Sequence, residues 1–90
     1  MYLHLGQDTI IRQSEIVGIF DLDTATVMKS TRDFLRDAQA RGEVITVGEE
    51  LPKSFVLIIK NNRQNIYLAA MGSITLQKRL EQPIIKGDAQ

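Results

Sequence analysis

The chain has 90 residues, 43% of them hydrophobic, with 11 basic and 11 acidic residues and no net formal charge. This length predicts one small domain, and the balanced charge argues against an obviously basic nucleic-acid-binding protein, although one basic face is compatible with it. The absence of cysteine excludes disulfides and thiolate chemistry, and no segment has the roughly 20 apolar residues that span a bilayer. We expect one domain at residues 1–82 and a tail at 83–90, and the absence of cysteine is compatible with a cytoplasmic protein.

Three strands are predicted before the first helix. The string "YLHL", residues 2–5, is the first, and "DTIIRQ" is the second arm of a hairpin, because "GQD" between them suits a tight turn. The third strand is "EIVGIFD". Its nearly continuous apolar residues predict a strand that is covered on both faces.

The pattern of residues 24–41 predicts one long helix, ended by Gly42. At 100° per residue its apolar side is formed by Val27, Thr31, Phe34, Leu35 and Ala38. The opposite side is basic, with Lys29, Arg32 and Arg36 within one arc.

The second half of the chain predicts three further strands and a short helix. "EVITV" is a short strand, and Pro52 makes "GEELPK" a loop. "SFVLIIK" is the strongest strand, and it returns as "NIYLAA" through a turn at Asn61 and Asn62. Ser73 caps the helix "ITLQKRL", which Pro83 ends. The order β-β-β-α-β-β-β-α predicts an α+β domain with a mostly antiparallel sheet.

Asp21 and Asp23 stand where the third strand meets the helix, followed by Thr24 and Thr26. Close carboxylates beside hydroxyls are candidate ligands for a divalent cation or neighbours of a phosphate, but the chain has neither an EF-hand loop nor a Gly-rich phosphate loop. Helix capping explains the same residue types, because Asp23 or Thr24 can accept hydrogen bonds from free N–H groups and both carboxylates favour the positive end of the helix. We therefore interpret these residues as the start of the helix.

The sequence does not indicate an enzyme. His4 is the only histidine, and no spacing places beside it the partner that acid–base catalysis or a histidine metal site requires. No serine lies in a nucleophile motif such as G-x-S-x-G. We expect no catalytic residue, cofactor, metal or small-molecule substrate.

Some strands contain adjacent apolar residues, so both of their faces need cover; these residues are Ile10, Ile11, Ile58, Ile59, Ile66, Tyr67 and Leu68. Two interpretations are open. Either the chain covers both faces itself, or a second copy covers one of them, since so small a domain buries limited area alone.

Basic residues form four groups, at Lys29, Arg32 and Arg36, at Lys53, at Lys60 and Arg63, and at Lys78 and Arg79. Each group alone is typical of a solvated surface. If the fold brought several to one face, and if an oligomer repeated them, they could follow the phosphates of DNA.

Four strings in this order resemble the RemA/RemB family of small bacterial extracellular-matrix regulators: "MYLHLGQD", "EIVGIFDLD", "PKSFVLI" and "GSITLQKRL". The resemblance covers about residues 1–81, and none of the strings is a catalytic motif. It implies a cytoplasmic regulator that binds DNA to control biofilm-matrix genes. It also implies ring-shaped oligomers and a subunit similar to the LytTR type of DNA-binding domain.

One stretch departs from the family pattern. The resemblance implies an arginine cluster that meets DNA in the loop before the strongest strand, but this chain has "EELPKS" at residues 49–54, where only Lys53 is basic. Whether DNA binding survives this change is an open question at the level of sequence.

Our leading hypothesis is a homo-oligomeric regulator that contacts DNA phosphates and reads DNA shape. We assign the contacts first to Lys53, then to Lys60 and Arg63, and to Arg32 and Arg36 if the helix faces outward. The competing hypothesis is an oligomeric scaffold or protein-interaction module of the same fold with little affinity for DNA.

Overall fold

The computed structural model of the chain describes residues 2–6 and 8–81. Its elements are β1 (Tyr2–Gly6), β2 (Thr9–Arg12), β3 (Ile16–Asp21), α1 (Leu22–Ala25), α2 (Lys29–Ala40), β4 (Val44–Thr46), β5 (Ser54–Lys60), β6 (Arg63–Ala69) and α3 (Ser73–Glu81). A 3₁₀ turn, Gln13–Glu15, separates β2 from β3. The predicted α+β class is confirmed. The predicted domain end at residue 82 and the tail at 83–90 lie outside the described residues.

The main sheet has four strands in the order β3-β5-β6-β4, and β1 pairs with β2 in a separate antiparallel hairpin. All pairs are antiparallel except β4 with β6, which the sequence did not indicate. Asn61 and Asn62 join β5 to β6 with φ of 54° and 63°. Two successive positive φ values are typical of a type I′ turn, whose twist matches that of the strands it connects.

Alternating residues of β5 pack on opposite faces of the main sheet. Val56 and Ile58 contact the β1–β2 hairpin and α3, whereas Phe55 and Leu57 contact α1 and α2. Elements of the chain itself therefore cover both faces of β5 at these positions, but Ile10 and Ile59 stay exposed, so both interpretations of the apolar strand residues stay predictions.

The expectation that β3 is covered on both faces is wrong. This strand is an edge of the sheet and pairs only with β5, so Val17 is 58% and Phe20 40% exposed. The Phe20 ring stacks on Phe55 with 4.9 Å between centroids. It also lies over Gly18, where an added Cβ would come within 2.7 Å of the ring.

The expectation of one helix at 24–41 is also wrong. Met28 has extended backbone angles, φ −85° and ψ 131°, and this separates α1 from α2. The Arg32 guanidinium stabilises the turn between the helices by donating to the carbonyls of Thr26 and Val27, at 2.7 and 3.0 Å. Because the turn changes the direction of the chain, Val27 leaves the predicted apolar side and is 74% exposed.

Asp21 caps α1, since its Oδ1 accepts a hydrogen bond from the Thr24 N–H at 3.1 Å. The assignment of this stretch to a helix start is confirmed, but the proposed capping residues, Asp23 and Thr24, are wrong. The helix begins at Leu22, earlier than the sequence predicted, so Asp23 lies within its first turn.

We expect Asp21→Ala to lower the free energy of unfolding by about 1 kcal/mol, because one backbone donor of α1 loses its acceptor. Asp23→Ala is the matched control and removes only a favourable interaction with the helix dipole, about 0.3 kcal/mol for an exposed residue. Urea denaturation measures both. Equal losses in the two variants would contradict the cap assignment.

Candidate nucleic-acid interface

The β5–β6 hairpin extends beyond its neighbours in the sheet. β3 pairs with β5 only as far as Ile58, and β4 pairs with β6 only from Ile66 onward. We call the projecting residues 59–64 the hairpin tip. It contains two cross-strand pairs and the turn between them, namely Ile59 with Gln64, Lys60 with Arg63, and Asn61 with Asn62. Residues 59–63 are exposed.

Lys60 and Arg63 occupy directly opposite positions at the end of the ladder. Directly opposed residues of an antiparallel pair lie on the same face, with Cβ atoms about 5 Å apart, and like charges in this arrangement are destabilising. Among the described residues, neither side chain forms an ion pair. The hairpin tip therefore holds two uncompensated cations close together, an arrangement that suits an external anion.

Lys53, predicted as the first contact, lies far from this pair. It precedes β5, whereas Lys60 ends it, and seven residues of extended chain separate the two by roughly 20 Å. The Lys53 backbone is held in place, because its N–H donates to the Ala69 carbonyl at 2.8 Å and its carbonyl accepts from the Leu22 N–H at 3.0 Å. Its role in binding DNA stays a prediction.

Arg32 and Arg36 lie on α2 and already have partners within the chain. Arg36 contacts Asp33 at 3.0 Å and Asp37 at 3.9 Å, and Lys29 shares Asp33 at 3.4 Å. Arg32 donates to the two carbonyls of the interhelical turn. Exposed ion pairs are weak and exchangeable, so these arginines stay predicted contacts, although carboxylates offset the charge of Arg36 and carbonyls occupy donors of Arg32.

A cleft of about 710 Å³ separates the hairpin tip from the C-terminal end of α2. The Glu43 carboxylate in this cleft accepts several hydrogen bonds: its Oε1 accepts from Gln64 Nε2 at 2.9 Å and from Arg41 Nη2 at 3.2 Å. Glu43 Oε2 accepts from Arg41 Nε at 3.2 Å. The cleft is lined by Arg41, Gly42, Glu43, Ile59, Asn62, Arg63, Gln64 and Asn65.

These hydrogen bonds hold the pKa of Glu43 below its ordinary value of 4.5, with Arg41 the larger cause and Gln64 the next. The same contact raises the pKa of Arg41. Glu43 is thus neutralised by Arg41 rather than by the cations of the hairpin tip.

Sequence reasoning missed this network. Arg41 and Glu43 flank Gly42, which the sequence did predict as a helix end, so their proximity could have been inferred from the turn. Gln64 joins them only because β4 pairs with β6 and the Ile66 N–H donates to the Glu43 carbonyl at 2.8 Å. That pairing is non-local and has no signal in the local sequence pattern.

The structure gives the residues that were considered as metal ligands other roles or positions. Asp21 is used as a helix cap, and His4 is exposed on β1 between the buried Leu3 and Leu5. Within residues 2–6 and 8–81 no three His, Asp or Glu side chains group as metal ligands. None of the described helices is long and apolar enough to cross a membrane.

Comparison with known proteins links the chain to one curated protein. No protein-family model matches the sequence. The chain is 36% identical over 81 residues to extracellular matrix regulatory protein B of Bacillus subtilis (strain 168), and the alignment covers 90% of this chain and 91% of that protein. The similarity therefore extends over nearly the whole length of both proteins.

Replacing Lys60 should increase stability, because the substitution removes the like-charge pair. We expect the free energy of unfolding to be lowest for the wild type, higher for Lys60→Gln and highest for Lys60→Glu, with a total gain of about 0.5 kcal/mol. Urea denaturation at low salt measures the series, and about 1 M salt should reduce the gain by screening. A less stable Lys60→Glu variant would show that the pair is not repulsive.

The Glu43 network predicts a pH dependence. Because the folded-state pKa is depressed, Glu43 contributes stability above its ordinary value of 4.5, and this contribution is lost as pH falls through the lower folded-state pKa. The wild type should be more stable than Glu43→Gln near neutral pH, and the difference should narrow in acid. Urea denaturation across this pH range tests it, and a gap independent of pH would contradict the assignment.

Proposed function

The chain belongs to the family of extracellular matrix regulatory protein B, and on this premise we propose that it regulates extracellular-matrix gene expression by binding DNA as a homo-oligomer. The relative's name describes a regulator of extracellular matrix. We further propose that the protein acts in the cytoplasm and without catalysis, through contacts between basic side chains and phosphates.

One observation supports the DNA contact most strongly: Lys60 and Arg63 are opposed, exposed and without ion-pair partners among the described residues. The phosphates of a bound duplex would supply the missing negative charge and relieve their repulsion. Arginine can bind a phosphate through two parallel hydrogen bonds, while lysine acts as a point charge. The hairpin tip therefore replaces Lys53 as the first contact in our proposal.

Each subunit offers few such contacts, so a monomer would bind DNA weakly. Copies arranged in one oligomer, closed as the ring that the family resemblance implies, would present several hairpin tips to the same duplex. Once one tip is bound, the others bind at high effective concentration. Lys53, Arg32 and Arg36 would add secondary contacts where a neighbouring subunit brings them near the duplex.

A scaffold without DNA affinity is the second candidate, and an apolar surface supports the self-association that it requires. A hollow of about 210 Å³ between β3 and the helices is lined partly by Phe20, Phe34 and Phe55. Beside it, Val27 and Met28 are largely exposed in the interhelical turn. Exposed apolar residues are typical of protein interfaces when they lie together, so these residues support self-association under either candidate.

We expect Lys60→Ala/Arg63→Ala to weaken DNA binding by at least about tenfold and to flatten its dependence on salt. The slope of log K against log salt concentration is negative, and each lost phosphate contact reduces its magnitude by about 0.9. Fluorescence anisotropy with a matrix-operon promoter duplex, titrated from about 50 to 200 mM salt, measures both quantities.

The matched control is Lys29→Ala/Lys78→Ala, which removes the same charge from exposed positions outside the hairpin tip. Equal weakening by the control would show that net charge, not the hairpin tip, determines binding. Light scattering measures whether the wild type forms oligomers. If it forms them but does not bind the duplex at low salt, the scaffold candidate replaces the DNA-binding one.

A further inference from the structure

We infer that the hairpin tip is a two-stranded ribbon that enters the major groove of B-form DNA and presents Asn62 and Arg63 to base edges. The inference rests on the proposed function, since it requires that the protein binds DNA. It goes further by naming the groove, the element that occupies it and the residues that read sequence.

The reach of the hairpin tip matches the depth of the groove. Residues 59–61 extend past Ile58, the last β5 residue that pairs with β3. At about 3.4 Å per residue, the turn lies about 10 Å beyond Ile58 along the strand. The major groove is about 8.5 Å deep and about 12 Å wide and admits a two-stranded ribbon, whereas the minor groove is only about 6 Å wide.

The leading edge of the hairpin tip is composed of hydrogen-bonding side chains that the fold does not use. Within the described residues, no side-chain hydrogen bond involves Asn61, Asn62, Lys60 or Arg63. Arginine pairs with O6 and N7 of guanine, and asparagine pairs with N6 and N7 of adenine, all in the major groove. The side chains at the edge thus match the donors and acceptors found there.

The two faces of the ribbon suit different parts of the groove. Lys60 and Arg63 share one face, and Ile59 lies on the other, where it is 49% exposed. Ile59 is two residues behind the turn, so it lies about 7 Å from the leading edge and stays near the mouth of the groove.

A blocked groove tests the inference directly. The full chain is titrated by fluorescence anisotropy against three forms of one short mixed-sequence duplex: unmodified, with glucosylated hydroxymethylcytosine filling the major groove, and with netropsin in the minor groove. We expect glucosylation to weaken binding by about tenfold or more, and netropsin to change it by less than about twofold. The reverse pattern, or equal binding to all three, overturns the inference.

Base reading is tested with Arg63→Lys, which keeps the charge but removes the planar fork. A duplex selected by the wild type from a random library is compared with the mixed-sequence duplex. The variant should bind the mixed duplex nearly as well as the wild type does and lose about tenfold or more of its preference for the selected one. Lys60→Arg is the matched control and should keep that preference, and an unchanged preference in Arg63→Lys contradicts the role of Arg63.

The outcomes separate this inference from the proposed function. If binding depends on Lys60 and Arg63 but is insensitive to glucosylation, the proposed function stands and the major-groove inference fails. If the wild type binds no duplex at low salt, both fail together.

Discussion

The fold depends on the pairing of β5 with β6. Their ladder runs through seven residue pairs, from Ser54 with Ala69 to Lys60 with Arg63, and the other two strands of the sheet each pair with only one of them. The two-residue turn sets the register. A slip by one residue would exchange the faces of β5, turning Val56 and Ile58 away from the β1–β2 hairpin and α3.

The same ladder connects the core to the candidate site. Buried residues of β5 end at Ile58, and from Ile59 the strand is exposed, at the point where β3 no longer accompanies it. Because the ladder continues beyond the core, Lys60 and Arg63 stand opposite each other in paired strands rather than in a loop. Packing on both sides of the sheet therefore positions the two strands that carry the cationic pair. Among the described residues, no ion pair joins this pair to the core.

Local signals in the sequence predicted much of this structure. The apolar run of β5, the two asparagines at the turn and the hairpin of β1 with β2 were all recognisable. Periodicity failed at residues 24–41, because an apolar repeat does not reveal that Met28 is extended. Periodicity also could not predict the hydrogen bond between the Gln64 and Glu43 side chains, because that contact depends on the non-local pairing of β4 with β6. Among the candidate DNA contacts, Lys60 and Arg63 were named, but Lys53 was placed first because the family loop, not the sheet geometry, determined the ranking.

Zero net charge is compatible with a cationic site because the acidic residues nearest the other cations have specific partners. Asp33 binds Lys29 and Arg36, and Glu43 binds Arg41. At physiological salt, charges separated by more than about 8 Å are largely screened, so a phosphate approaching the hairpin tip experiences mainly the two charges there. In an oligomer the paired charges would still cancel within each subunit, whereas the cations of the hairpin tips would add. The number of subunits, rather than the formal charge of the chain, would then set both the affinity for DNA and its dependence on salt.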